Sequence, residues 1–172
     1  MNEHRHGRRL AGAALLGFCA TVGGPPAWAK VAPNDACSLL TQTQVSAALG
    51  IGVDPGQHPV AADLTFCNWR EHGKPEGPAR NVIVTLIDAS KFEKEKKTLV
   101  PGPTKTPEHD IGEEAYYYTA GRFPFNLIVK KGDVYFRIMA RSNAVISERS
   151  PATDDQDKSI DRALALEVLK KL

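Results

Sequence analysis

The side chains with the widest scope for chemistry in this chain of 172 residues are five histidines and three cysteines. Three of the histidines, His58, His72 and His109, lie in segments rich in proline, glycine and polar residues. None of them belongs to a recognised metal-ligand motif. We therefore predict that these three histidines are exposed loop residues and that the protein binds no metal. The alternative is that the three converge in space.

Motifs for covalent or nucleotide chemistry are missing from the sequence. It has no G-x-S-x-G turn for a serine nucleophile, no phosphate-binding loop, no complete dinucleotide fingerprint and no haem-attachment motif. Glu113 and Glu114 are adjacent carboxylates, but neighbours in an extended segment point to opposite faces. We predict a non-enzymatic protein without cofactors. The least favoured alternative is a hydrolase that combines His109 with Glu113 or Glu114.

Aromatic residues are the remaining candidates for ligand contacts. Tyr116 and Tyr118 share one face of a tyrosine-rich strand and Tyr117 takes the other, because side chains alternate along a strand. Trp69 lies on a separate predicted strand. We predict that Trp69, Tyr116 and Tyr118 contact a ligand or partner on a concave sheet face. The alternative is that these rings only fill the core and the rim of the sheet.

The first 29 residues indicate the compartment in which these side chains act. They begin with three basic residues, Arg5, Arg8 and Arg9, followed by an apolar run of 13 residues from Leu10 to Val22. A small-x-small cleavage pattern follows at Ala27-Trp28-Ala29. These features predict a cleavable signal peptide over residues 1–29 and a mature chain that begins at Lys30. Cys19 follows Phe18 rather than a small residue, so lipid attachment is not expected. The alternative is an uncleaved membrane anchor.

Removal of residues 1–29 changes the charge and the cysteine count. The whole chain has 22 Lys+Arg and 20 Asp+Glu, and the segment takes away three arginines and one glutamate, which leaves 19 of each. A neutral mature chain argues against nucleic-acid and anionic-membrane partners. Only Cys37 and Cys67 then remain to form a disulfide in an oxidising compartment. Their separation of 30 positions differs from the C-x-x-C spacing of redox-active pairs, which favours a structural bridge.

Hydrophobic periodicity and capping residues predict the elements that must position these side chains. A capping box at Thr41 and Gln44 opens the first helix, and Ser90 with Glu93 forms a second box. Gly132 indicates a hairpin. The predicted helices are 42–49, 91–97 and 158–171, the predicted strands are 64–71, 81–88, 115–119, 125–130 and 134–141, and the predicted irregular connections include 100–110 and 142–156.

The order of these elements predicts the fold class. Neighbouring strands joined by short turns indicate one antiparallel sheet of five to six strands, packed with two to three helices. Residues 30–172 are long enough to enclose one hydrophobic core, and their composition shows no boundary that would mark a second domain. We therefore predict a single exported α+β domain behind the signal peptide.

Three short motifs carry a family resemblance, namely Ala36-Cys37-Ser38-Leu39-Leu40-Thr41, Cys67-x-Trp69 and Gly112-Glu113-Glu114-Ala115-Tyr116. On these motifs the chain resembles a family of small exported bacterial domains of unknown function, which are common as actinobacterial lipoproteins. The resemblance implies a sandwich of an antiparallel sheet with helices, similar to the PsbP-like folds of photosystem-associated proteins. It also supports the Cys37–Cys67 bridge. This chain lacks the lipid-attachment motif of those lipoproteins, and the family supplies no catalytic residues.

Export, one disulfide and aromatic residues on a sheet together predict a non-enzymatic binding module that is periplasmic or secreted. Its expected partner is an unknown small molecule or an envelope protein, with no stable membrane anchor after signal cleavage. The main alternative is an interaction or inhibitor protein of the cell envelope. In that case contacts through residues 100–110 and Phe123 are expected.

Overall fold

The structure, a computed structural model, describes residues 33–97, 103–120, 124–145 and 150–172. The predicted signal peptide over residues 1–29, Cys19 and Phe123 lie outside these ranges. Within the described ranges, no helix combines the length and the apolar composition needed to cross a membrane.

The described residues form a 3₁₀ turn, three helices and six strands. The 3₁₀ turn is Ala36–Ser38, and the helices are α1 (Gln42–Leu49), α2 (Ala89–Lys97) and α3 (Pro151–Leu169). The strands are β1 (Phe66–Arg70), β2 (Asn81–Ile87), β3 (Pro103–Glu108), β4 (Glu114–Ala120), β5 (Asn126–Lys131) and β6 (Val134–Arg141).

The six strands form one antiparallel sheet in the order β1-β2-β6-β5-β4-β3. The hairpin β1–β2 lies at one end of the sheet, and β3 to β6 form a meander that brings β6 back beside β2. The predicted hairpin is confirmed, with Gly132 between β5 and β6 at a φ of 57° that favours glycine. This architecture confirms the predicted α+β class.

The start and the end of α1 are as the sequence predicts. The Thr41 hydroxyl accepts a hydrogen bond from the backbone N–H of Gln44 at 3.2 Å. The Gln44 side-chain oxygen accepts one from the backbone N–H of Thr41 at 2.9 Å, which completes the capping box. Gly50 ends the helix in the left-handed conformation at a φ of 67°.

The predicted starts of the other two helices are wrong. The backbone N–H of Lys91 donates to Asp88 at 2.7 Å, and Ser90, the predicted cap, donates its hydroxyl to the same carboxylate. α3 begins at Pro151 rather than at residue 158, with Ser150 as its N-cap. Proline suits the first helical turn because it has no N–H to leave unpaired. The Ser-Pro pair is therefore the signal that marks this helix in the sequence.

Residues 103–108 form the edge strand β3, so the prediction of a loop there is wrong. Proline is tolerated in an edge strand when its nitrogen faces away from the neighbouring strand. Two of the six residues of β3, Pro103 and Pro107, have no N–H to donate. An edge with so few donors is a poor template for pairing with another chain.

The sheet separates two hydrophobic clusters. The larger cluster lies between the sheet and the 3₁₀ turn, α1 and α3, and it includes Trp69, Phe136 and Leu164. The smaller cluster lies under α2, where the ring of Phe92 is 6.0 Å from that of Tyr116 and 4.9 Å from that of Tyr135. Apolar side chains are thus buried on both faces of the sheet, so the central strands β2 and β6 carry apolar residues on each face.

Two carboxylates of α3 extend the hydrogen bonding of β6. β5 pairs with β6 as far as Ile138, and beyond it the Ala140 N–H donates to Asp161 at 2.6 Å and the Ser142 N–H donates to Asp157 at 2.7 Å. Four helical residues advance about 6 Å and two strand residues about 6.6 Å, so the spacings match. Burial raises the pKa of Asp161 well above its usual value, and the negative charge of Asp157 adds to the rise. The hydrogen bond from Ala140 lowers the pKa, but by less than burial raises it.

We predict that Asp161 makes the protein less stable as the pH rises. A carboxyl with a raised folded-state pKa stabilises fully below its unfolded pKa, and that contribution is lost as the pH rises through the folded pKa. Asp161→Asn keeps an acceptor for Ala140 and removes the charge. Urea unfolding from pH 4 upward should therefore show the variant gaining stability relative to the wild type.

The exposed Asp155 of the same helix provides the control for this experiment. Asp155→Asn should follow the wild-type pH profile. Parallel profiles for Asp161→Asn and the wild type over this pH range would contradict the assignment of the pH dependence to Asp161.

Candidate functional site

Trp69 lies inside the larger hydrophobic cluster. Its side chain is 1% exposed and shares the helix-covered face of β1 with Cys67. The backbone at Gly56 passes directly over the indole, because a Cβ added there would come within 2.6 Å of the ring. Trp69 therefore packs against its own chain on this side, and only glycine fits at position 56.

Tyr116 and Tyr118 lie on the opposite face of the sheet, while Tyr117 belongs to the larger cluster with Trp69. Tyr116 is 6% exposed and Tyr118 is half-buried. Burial, assisted by the carboxylate of Glu95, raises the pKa of Tyr116 to about 12. The structure thus confirms the predicted alternation of the tyrosines, but it does not bring the three predicted contact residues into one site.

The three histidines have different surroundings. His72 is exposed and its Nδ1 lies 2.6 Å from a carboxylate oxygen of Asp54. His109 is also exposed, and its backbone carbonyl accepts a hydrogen bond from Arg162 at 3.0 Å. His58 is half-buried against the disulfide, so the prediction that it is exposed is wrong.

The carboxylates that were paired with His109 in the hydrolase alternative are engaged elsewhere. Glu114 forms an ion pair with Lys96 of α2 at 2.6 Å. Glu113 accepts a hydrogen bond from the backbone N–H of Gly132 at 3.1 Å. The two side chains therefore interact with different elements, as expected for neighbours in an extended segment.

Among the described residues, a cleft open to a ligand lies between the 3₁₀ turn, the β5–β6 hairpin and the end of α3, and we call it the hairpin pocket. Its volume is about 460 Å³, within the range of small-molecule sites. The apolar side chains that line it are Pro33, Leu39, Val134 and Leu172. Leu39 also belongs to the larger cluster, so the floor of the pocket is the edge of the core.

Charged groups of both signs line the same pocket, namely Lys131, Lys171, Glu113 and Asp133. The ammonium of Lys131 lies 3.9 Å from a carboxylate oxygen of Glu113, and both side chains are about half exposed. The ammonium of Lys171 donates to the backbone carbonyl of Ser38 at 3.1 Å. Ion pairs in this much water are weak, so these groups can exchange partners with a ligand at little cost.

The Gly112-Glu113 segment holds one wall of the hairpin pocket in place. Gly112 has a φ of 63°, and a Cβ added to it would lie 2.5 Å from the carbonyl oxygen of Lys130. Position 112 therefore requires glycine. The Glu113 N–H donates to that carbonyl at 2.8 Å, while its side chain holds Gly132. Two of the three resemblance motifs therefore meet here, since Ser38 and Leu39 also line the pocket.

A second cleft of about 410 Å³ lies where Glu71, Arg80 and Ser142 approach one another. Arg80 donates two side-chain hydrogen bonds to Glu71, at 2.9 and 3.2 Å. These hydrogen bonds lower the pKa of Glu71 to about 2, so the carboxylate stays ionised. Because the Glu71 carboxylate already neutralises the Arg80 guanidinium, this cleft is a weaker candidate for an anionic ligand than the hairpin pocket.

The predicted disulfide between Cys37 and Cys67 is present, with a Cα–Cα distance of 5.0 Å. Ligand atoms of Asp35, Cys37 and His58 all lie within 4.8 Å of one another, close enough to share a cation. However, the sulfur of Cys37 is bonded to Cys67, and Nδ1 of His58 faces the carbonyl of Phe66 at 2.8 Å. In the oxidised protein this leaves one carboxylate and one ring nitrogen, fewer ligands than a zinc site takes.

Comparison of the chain with known protein families, curated proteins and solved structures finds no match.

We predict that the disulfide contributes a large share of the stability. Its cysteines are 30 residues apart, and the loss of such a cross-link costs about 3.7 kcal/mol in the chain-entropy description. For a domain of this size that corresponds to a fall in melting temperature of about 10 °C. Calorimetry with and without a phosphine reductant measures the effect.

The double variant Cys37→Ala/Cys67→Ala controls for effects of the reductant itself. It should melt near the reduced wild type and show no further change when the reductant is added. An unchanged wild-type melting temperature after complete reduction would refute this contribution.

Proposed function

We propose that the protein is an exported, non-enzymatic binding module and that the hairpin pocket is its ligand site. The observation that carries the proposal is a ligand-sized cleft whose floor is apolar and whose rim holds charges of both signs. The disulfide suits an oxidising compartment, and the predicted signal peptide over residues 1–29 supplies the route of export.

The residues that line the hairpin pocket favour binding over catalysis. They include no histidine and no cysteine. The hydroxyl of Ser38 donates to the backbone carbonyl of Asp35 at 2.6 Å, so it is not activated by a base. Nucleophilic catalysis needs a nucleophile within hydrogen-bond reach of such a base.

The chemistry of the pocket indicates a small ligand that combines an apolar group with charges of both signs. A dipeptide with one large aliphatic side chain has this combination. Lys131 and Lys171 would receive its carboxylate, and Glu113 and Asp133 would receive its ammonium. The side chain would cover the floor at Val134, where apolar burial contributes about 25 cal/mol for each Å².

We predict that Val134→Trp abolishes ligand binding, because the indole fills the floor of the pocket. The measurement is the thermal shift of the mature protein with a panel of dipeptides. At a ligand concentration of 100 times Kd, the wild type should gain about 2.7 kcal/mol of stability, and the variant should gain none. Native mass spectrometry of protein purified without denaturant tests in parallel for a ligand that co-purifies.

Val60→Trp is the matched control, because Val60 is 62% exposed and does not line the pocket. It adds the same bulk elsewhere and should bind as the wild type does. The proposal fails if no dipeptide stabilises the wild type and nothing co-purifies, or if both tryptophan variants bind equally.

A protein partner is the second candidate, and a different surface supports it. The face of the sheet that carries α2 also has half-buried apolar side chains, including Tyr118 and the cross-strand pair Ile83–Met139. The contacts expected from residues 100–110 and Phe123 receive less support, since residues 103–108 are β3 and Phe123 lies outside the described ranges.

For a partner in the cell envelope, Met139→Glu should abolish cross-linking to envelope proteins and leave dipeptide binding unchanged.

A further inference from the structure

The two cysteines of the disulfide differ in their exposure to solvent. Cys67 is 0% exposed on β1, and a Cβ added to Gly56 would lie 2.8 Å from its sulfur, so the chain covers it closely. Cys37, in the 3₁₀ turn, is partly exposed. An incoming thiolate must reach a sulfur to attack it, so attack falls on Cys37 and Cys67 becomes the leaving group.

His58 lies beside the more exposed cysteine, with its Nδ1 at 3.7 Å from Sγ of Cys37. The same Nδ1 is 2.8 Å from the carbonyl oxygen of Phe66, and Nε2 is 3.3 Å from a carboxylate oxygen of Asp35. Both ring nitrogens therefore face oxygen acceptors. When the ring is protonated it donates to both oxygens at once, which places a positive charge next to Cys37.

One carboxylate stabilises that charge. Asp35 contacts the ring directly and also accepts the backbone N–H of Cys37 at 2.7 Å, which fixes its position. A cation held this way stabilises a thiolate at Cys37 once the disulfide opens.

We propose that Cys37 and Cys67 form a thiol–disulfide exchange site, in which Cys37 makes the mixed disulfide and His58 stabilises its thiolate. The partner is a thiol, either a small molecule such as glutathione or a cysteine of another protein. The C-x-x-C spacing is absent, but a partly exposed cysteine beside an imidazole is bonded here to a fully buried one, which makes the two cysteines unequal in reactivity.

The exchange balances with glutathione as the reductant. A glutathione thiolate bonds to Sγ of Cys37, the bond between Cys37 and Cys67 breaks, and the Cys67 thiolate leaves with the electron pair and takes a proton. A second glutathione thiolate then attacks the glutathione sulfur of the mixed disulfide. This step releases glutathione disulfide and leaves Cys37 as the thiolate beside His58, so two electrons pass to the protein.

Alkylation of a single-cysteine variant tests the thiolate directly. Cys67→Ser in the mature chain leaves Cys37 as its one thiol. Its reaction with iodoacetamide at pH 6 should be at least about tenfold faster than that of N-acetylcysteine, because an ordinary thiol is almost wholly protonated at that pH. Adding His58→Gln should remove this advantage, whereas His72→Gln, which alters a histidine paired with Asp54, should not.

Equilibration of the wild type with glutathione buffers tests the same proposal without removing a cysteine. His58→Gln should raise the equilibrium constant for disulfide formation about tenfold, because it destabilises the reduced form. A mass increase of one glutathione on Cys37 marks the mixed disulfide. The proposal is overturned if His58→Gln changes neither the alkylation rate nor the glutathione equilibrium, or if the trapped glutathione is on Cys67.

A protein thiol and a small-molecule thiol are distinguished by a second trap. Cys67→Ser expressed with its signal peptide should capture mixed disulfides on Cys37, which are separated by non-reducing electrophoresis and identified by mass spectrometry. Glutathione adducts alone identify a small-molecule partner, and a discrete adduct with a cysteine of one envelope protein identifies a protein partner. Recovery of Cys37 only as the free thiol contradicts the proposal.

Discussion

The Cys37–Cys67 bond ties the 3₁₀ turn to β1, and both candidate sites are built on that turn. On one side of the turn, Ser38 and Leu39 form part of the hairpin pocket. On the other side, Asp35 contacts His58 next to the sulfurs. The bond therefore does more than restrict the unfolded chain, because it sets the position of the segment on which ligand binding and thiol exchange would both depend.

The sheet imposes the second constraint, because its register assigns every side chain to one of two faces. The face that carries Trp69 is closed by the 3₁₀ turn, α1 and α3, and the face that carries Tyr116 is covered in part by α2 through Phe92. Buried polar groups secure this arrangement, since Asp157 and Asp161 complete the hydrogen bonding of β6 where β5 has ended. The two clefts described above lie where strands of this sheet end.

The motifs behind the family resemblance have structural roles that the fold explains. Gly112 is required by its close approach to the carbonyl of Lys130, and the Cys67-x-Trp69 pair points into the core from one face of β1. Leu39 lies in the core and at the pocket floor. Membership of that family stays a prediction, and the association of its motifs with a ligand site belongs to the proposed function.

The sequence by itself determined the fold class, the capping of α1, the hairpin at Gly132 and the pairing of the two cysteines, since each depends on local backbone preferences or on a count of thiols. Strand β3 escaped prediction because prolines are read as loop residues unless the edge position is known. Only the tertiary structure decided that Trp69 is buried away from Tyr118 and that His58 lies 3.7 Å from the sulfur of Cys37. Such contacts join residues far apart in the chain, and no local pattern specifies them.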